Sequence, residues 1–267
     1  MRSETFGVWL FGVALMTTAG SARGQSPDDG HLARFKEKVR QDMATIPNYT
    51  CLETIQRARR EPHSHAFKPA DTVRLEVSSV GGKELFAWPG SWQFQDDEVT
   101  ALVTSGTIGT GMFATFAQNL LVTDKGTLQY GGAENLAGRA SVRYDFHLSA
   151  QESRWEIRAN DAEEMVAAKG SFWFDPVSLD LLRLEVYGED IPDSLRLDEA
   201  VIRNSYTRAR IGVSDALLPQ RSEVTMTYFS GVTNRNVIEF SRCREYGAES
   251  KINFDAPPAS LPEVPKQ

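Results

Sequence analysis

Lys169-Gly170-Ser171-Phe172-Trp173-Phe174-Asp175-Pro176-Val177-Ser178-Leu179-Asp180-Leu181-Leu182-Arg183-Leu184 decides how the chain is read. Asp175-Pro176-Val177-Ser178 has the composition of a turn: Asp and Ser side chains bond back to nearby N–H groups, and Pro fixes φ. The flanks, from Ala167 to Phe174 and from Leu179 to Gly188, are strand-like. In the second flank Leu182, Leu184 and Val186 alternate with Arg183 and Glu185, so one face turns inward and the other meets water. In the first, Phe172-Trp173-Phe174 sets rings on both faces, so both are covered or one lines a cavity. The stretch is an antiparallel hairpin.

The same period of two extends in both directions. Upstream, Ser141 to Ser149 alternates Val142, Tyr144, Phe146 and Leu148 with Arg143, Asp145 and His147, and Ser153 to Ala159 alternates Trp155 and Ile157 with Arg154, Glu156 and Arg158. Earlier strand candidates are Tyr49 to Arg59, Thr72 to Ser78, Lys83 to Trp88 and Ser91 to Gln95. Downstream lie Ala200 to Ile211, Arg221 to Ser230 and Asn234 to Tyr246, with Ser250 to Phe254 as a candidate edge. Two segments have helical spacing. His31 to Thr45 carries Leu32, Phe35, Val39 and Met43 on one face, and Met112 to Val122 follows the glycine-rich Gly106 to Gly111. Helix, strands, helix, then a long run of strands predicts a mainly β (α+β) fold. The expected form is one antiparallel sheet with two helices on one side.

Residues 1–24 read as a secretory signal: a short apolar run from Val8 to Met16, then small residues that suit cleavage before Gln25 or before Arg23. That run is too short to span a bilayer, and no later stretch reaches the roughly 18–20 apolar residues a spanning helix needs. The organisation expected is a signal peptide over 1–24, one β domain over 25–255 and a proline-rich tail over 256–267. The product would be periplasmic or secreted. In an oxidising compartment two cysteines read as a pair, so Cys51 and Cys243 are expected to form a disulfide closing nearly the whole fold. The chain-entropy ceiling for such a loop is roughly 5 kcal/mol.

Composition narrows the functional classes. Of 267 residues 41% are hydrophobic, enough for a real core, and a net charge of −7 offers no basic field for nucleic acid. Four His leave little material for a metal site; His63-Ser64-His65 and Asp96-Asp97-Glu98 read as polar loops, and no cofactor is implied. Gly106-x-x-Gly109-x-Gly111 lacks the Lys-Ser/Thr ending of a phosphate loop and reads as a turn or lid. No Gly-x-Ser-x-Gly elbow accompanies the histidines, and no pair among the many carboxylates stands out for glycoside hydrolysis. Asn48-Tyr49-Thr50 is a formal glycosylation acceptor, read here as an ordinary turn. The aromatic supply is the more informative signal. Trp88, Trp92, Met112, Phe113, Phe116, Leu120, Phe172 and Phe174 are the candidate lining of a ligand cavity.

The Lys169–Leu184 hairpin resembles the G-x-hydrophobic-W-hydrophobic-D-P-x-T/S…R hairpin of the LolA/LolB-like lipoprotein-carrier superfamily. Ile46-Pro47-Asn48-Tyr49-Thr50-Cys51-Leu52-Glu53-Thr54-Ile55 also resembles a subfamily of exported proteins of soil bacteria. The carrier resemblance implies a half-open barrel whose concave side holds acyl chains or a hydrophobic peptide beneath helices. No functional residue of that family is carried over. The expectation is an exported, non-enzymatic protein that binds a hydrophobic small molecule or an acylated protein. The rivals are an envelope protein-interaction or sensing module with a filled core, and a hydrolase. A large apolar concavity favours the first and a tightly packed interior the second.

Overall fold

The computed structural model describes residues 29–80, 83–91, 94, 99–108 and 116–246. Helix α1 (Asp29–Thr45) leads into β1 (Tyr49–Arg60), β2 (Lys68–Val80) and β3 (Lys83–Ala87). The helical turns α2 (Val99–Leu102) and α3 (Gln118–Val122, π-type) follow, then β4 (Thr127–Leu136) and β5 (Arg139–Leu148). A further helical turn, α4 (Ala150–Ser153), precedes β6 (Trp155–Ala159), β7 (Ala162–Phe174) and β8 (Leu181–Glu189). The long strands β9 (Leu197–Ile211), β10 (Ser214–Tyr228) and β11 (Thr233–Glu245) complete the chain's described part.

All strands join one antiparallel sheet in the order β3-β2-β1-β11-β10-β9-β8-β7-β5-β4, with β6 paired to β7 beside that path. β3 and β4 end the path, so among the described residues the sheet stays open, as a half-barrel. β1 pairs with β11, which brings the first and last strands of the described residues together. Cys51 and Cys243 meet there with 4.1 Å between their Cα atoms and form the expected disulfide, across a bulge between Thr50 and Leu52. Arg242 reaches this geometry at φ 52°.

The deciding hairpin forms as its residues require. Asp175 accepts hydrogen bonds at one carboxylate oxygen from the N–H groups of Val177 (2.8 Å) and Ser178 (3.0 Å), which closes the turn. Phe172 pairs with Leu184 and Gly170 with Val186 on the concave face. A Cβ at Gly170 would stand 1.9 Å from the Glu185 carbonyl oxygen, so only glycine lets β7 and β8 approach here. Trp173 points the other way, and its indole N–H donates to Glu134 at 2.7 Å. The convex side is thus wet and charged, with Arg203 between Glu185 and Glu223 and Arg221 bonded to Glu239.

α1 lies on the concave side, and its apolar stripe points at the sheet. Phe35 is wholly buried and stacks on Phe174 (centroids 4.2 Å apart) and on Phe172 (5.6 Å). Such ring pairs each add about 0.5–1.5 kcal/mol beyond area burial. Ion pairs fix the helix: Arg40 meets Asp124 at 2.7 Å, and Arg208 holds Asp42 (2.9 Å) and Asp180 (2.6 Å) together. Of the second expected helix, 112–122, the described part is helical from Phe116.

Several boundaries differ from the sequence reading. Ser91 and Phe94 are not in a strand, because Pro89-Gly90 closes a turn in which the Ser91 N–H donates to the Trp88 carbonyl. Ser153 belongs to α4, where a Ser149–Glu152 capping box favours a helical turn before β6 begins. β4 is an additional strand. The signal over 1–24, the tail over 256–267 and the candidate edge at 250–254 lie outside the described residues.

Candidate ligand cavity beneath helix α1

Phe35 fills the concave side against β7, but one helical turn later the stripe carries Val39 and then Met43, which are shorter than a ring. A cavity of about 600 Å³ opens beneath them. Its roof is Val39, Met43, Ala44 and Ile46; its floor is Tyr49 and Cys51 of β1, Val77 of β2 and Phe240 of β11. Leu181, Tyr206 and Leu217–Pro219 close one side, and Ala117, Gln118 and Val122 close another. The disulfide sits in this floor through Cys51. Pro219 is tolerated within β10 because the register shifts beside it, between Pro219 and Arg221.

The walls are mostly apolar, yet four titratable groups on or next to them have displaced pKa values. Glu84 of β3, on the wall, is pushed up to about 7 by burial. Glu53 lies on the same face of β1, two residues past Cys51 and opposite Phe240. Its pKa is pushed up to about 8, first by burial and then by the charge of Glu84. The Tyr49 phenol is raised to about 12 by burial and by Glu84, against a hydrogen bond with Ser79 that lowers it. Burial raises the Tyr206 phenol as well. Glu53 is 0% exposed, and neither carboxyl oxygen has a hydrogen-bond donor. A buried polar group in that state is costly, so the structure keeps this side chain at a price in stability.

The residues chosen from the sequence distribute differently. Phe116, Leu120, Phe172 and Phe174 are buried in the core with Phe35, and Phe116 packs edge-on against Trp155 at 5.6 Å. They share no wall with the 600 Å³ cavity, although Ala117 and Gln118 beside Phe116 do. Trp88 is 48% exposed. Trp92, Met112 and Phe113 lie outside the described residues. Of the glycine-rich segment, Thr107 is docked on the sheet. Thr107 accepts from the Asn234 side chain (2.7 Å), and its carbonyl accepts from the Asn236 side chain (3.2 Å).

Sequence reading missed Val39, Met43, Tyr49, Glu53, Glu84, Tyr206 and Phe240. One signal was present: in Cys51-Leu52-Glu53-Thr54-Ile55, the inward register places an acid between two apolar residues. Among the described residues no group of three or more His, Cys, Asp or Glu side chains is placed to hold a metal ion. Among them also, no helix is long and apolar enough to cross a membrane.

No family model matches the chain, and no curated protein sequence matches it. Solved structures do resemble it. A DUF1329 family protein from Desulfovibrio piger aligns with 87% of this chain and 98% of its own, at 13% identity and a TM-score of 0.41. A putative outer membrane lipoprotein-sorting protein domain from Vibrio parahaemolyticus aligns with 84% of this chain and 97% of its own, at 11% identity and a TM-score of 0.42. A LolA superfamily protein from Nitrosomonas europaea aligns with 83% of this chain and 96% of its own, at 14% identity and a TM-score of 0.38.

Proposed function

We propose that the protein is an exported, non-enzymatic binding protein for a hydrophobic ligand, a lipid or the acyl chain of a lipoprotein, held in the cavity beneath α1. The observation that carries this reading is the cavity itself. Its volume of about 600 Å³ lies within the roughly 300–1,000 Å³ of ligand sites, and its walls are mostly apolar with a few polar groups, the usual pattern of such sites. The disulfide supports an oxidising compartment, and with it export. In this reading Phe116 and Leu120 form the layer behind Ala117 and Gln118, which a longer chain would reach. Phe172 and Phe174, stacked with Phe35, hold the helix above the cavity.

A second reading, an envelope protein-interaction or sensing module, is favoured by the part of the concave side that Phe35 already fills. Native mass spectrometry with lipid extraction, on mature protein purified under non-reducing conditions from its own envelope fraction, separates the two. Co-purifying acyl species are expected. A bare protein mass would move the weight to the interaction module.

A further inference from the structure

Two acids at the cavity stand outside its ion pairs. Arg40 and Asp42 both reach the cavity, and both are already engaged. Arg40 donates to Asp124 at 2.7 Å and to the Val122 carbonyl at 3.5 Å. Asp42 accepts from Lys38 at 2.8 Å and from Arg208 at 2.9 Å. The other polar groups facing the space are neutral: the Tyr49 and Tyr206 phenols, Ser79, Asn48 and Gln118. Glu84 on the wall and Glu53 beside it remain, and among the described residues neither has an ion-pair partner. Glu53 is buried with two acceptor oxygens that nothing satisfies. Glu84 is half-buried on the wall and Glu53 is fully buried beside it, so once ionised they would face the apolar space without a counter-charge.

We infer that the ligand of this cavity carries a cationic amino head that lies against Glu84, with Glu53 behind it, while its apolar body fills the space under Val39 and Met43. The inference rests on the reading of the cavity as a ligand site. An ammonium group offers three donors and no acceptor, which complements carboxylate oxygens without donors of their own. Charge-assisted bonds of that kind are strong where water is excluded. An anionic head would meet two acids at close range. A neutral alcohol would leave Glu53 and Glu84 largely as they are.

Burial raises both acids to within reach of neutral pH, Glu84 to about 7 and Glu53, which also feels Glu84, to about 8. Seating an ammonium ion favours their ionised form, so binding releases protons below the raised values and tightens as pH rises. The test is isothermal titration of the mature, disulfide-bonded protein with dodecylamine, dodecanol and dodecanoate at about pH 6 and about pH 8.5. At the higher pH the amine is expected to bind at least about tenfold more tightly than the alcohol or the acid. At the lower pH its heat is expected to vary with the buffer, reporting the released proton. In Glu84→Gln the amine should bind no more tightly than the alcohol does to the same variant. An alcohol or acid that binds as well as the amine, or an amine preference that survives Glu84→Gln, overturns the inference while the ligand cavity stands. Binding of none of the three overturns both. The wild-type comparison reads out whether or not the variant folds.

Discussion

The concave face has two halves that differ in what α1 lays on them. Over β5, β7 and β8 the helix presents Phe35, which stacks on Phe172 and Phe174, while Tyr144 stacks on Phe172 at 5.7 Å. Over β1, β2 and β11 the same helix presents Val39 and Met43, facing Cys51, Val77 and Phe240. Backbone curvature does not have to change between them. Side-chain length along one helical stripe turns a plug into a roof. The filled half supplies rigidity and holds the helix at the height that keeps the other half open.

The comparison is most severely tested in the filled half. Phe174→Ala is expected to cost about 3–5 kcal/mol in urea unfolding, because a buried ring is removed from a stack that cannot collapse. Binding of an apolar probe should survive in the folded fraction. A loss below about 1 kcal/mol would mean that this half is not closely packed.

The disulfide belongs to the open half. Cys51→Ser combined with Cys243→Ser is expected to cost about 2–5 kcal/mol, and to weaken probe binding as well because Cys51 is part of the floor. Thermal melts with and without reductant give the first number. Unchanged probe affinity would separate the crosslink from the cavity.

The acids give the open half a pH signature that the aromatic half lacks. Glu53 and Glu84 have folded pKa values of about 8 and about 7, above the ordinary carboxyl value of the unfolded chain. The folded state therefore holds more protons in between. Below the unfolded value these groups add no pH-dependent cost, and stability falls as pH rises toward 7 and 8, then levels off. Glu53→Gln should flatten that fall and raise Tm at about pH 8.5, by roughly 2–4 °C for each kcal/mol relieved. A melting profile that is the same for wild type and variant across this range would contradict the buried-acid account.

The smallest stability effect is expected from Met43→Trp. A ring placed in the roof has space to enter, so the cost should fall below the about 1–3 kcal/mol of overpacking a filled core. Its effect on ligand affinity should nonetheless be large. A severe loss of stability would show that the space is not available to a side chain.

The strands and the disulfide were legible in the sequence, but which half is filled and which is open was not. Strict alternation in Ser141–Ser149 and in the Phe172–Val186 hairpin announces a face, but rings on that face suit a cavity wall and a packed core alike. The two cysteines announced their own pairing. β4 escaped because Gly131 and Gly132 interrupt its pattern, leaving Leu128 and a half-exposed Tyr130 as its large residues on the face of Phe146 and Tyr144. The cavity escaped because it is the distance between a helix and a sheet, a quantity no local pattern encodes. Aromatic abundance pointed to where the core is fullest. The better pointer to empty space was a polar residue in an apolar register, Glu53 between Cys51 and Ile55.

The most direct test follows the fluorescence of N-phenyl-1-naphthylamine, an apolar probe, titrated into the wild type, Met43→Trp and Phe116→Leu. The account predicts saturable binding to the wild type, loss in Met43→Trp and retention in Phe116→Leu. Retention in Met43→Trp with loss in Phe116→Leu would place the ligand in the aromatic half and contradict the account.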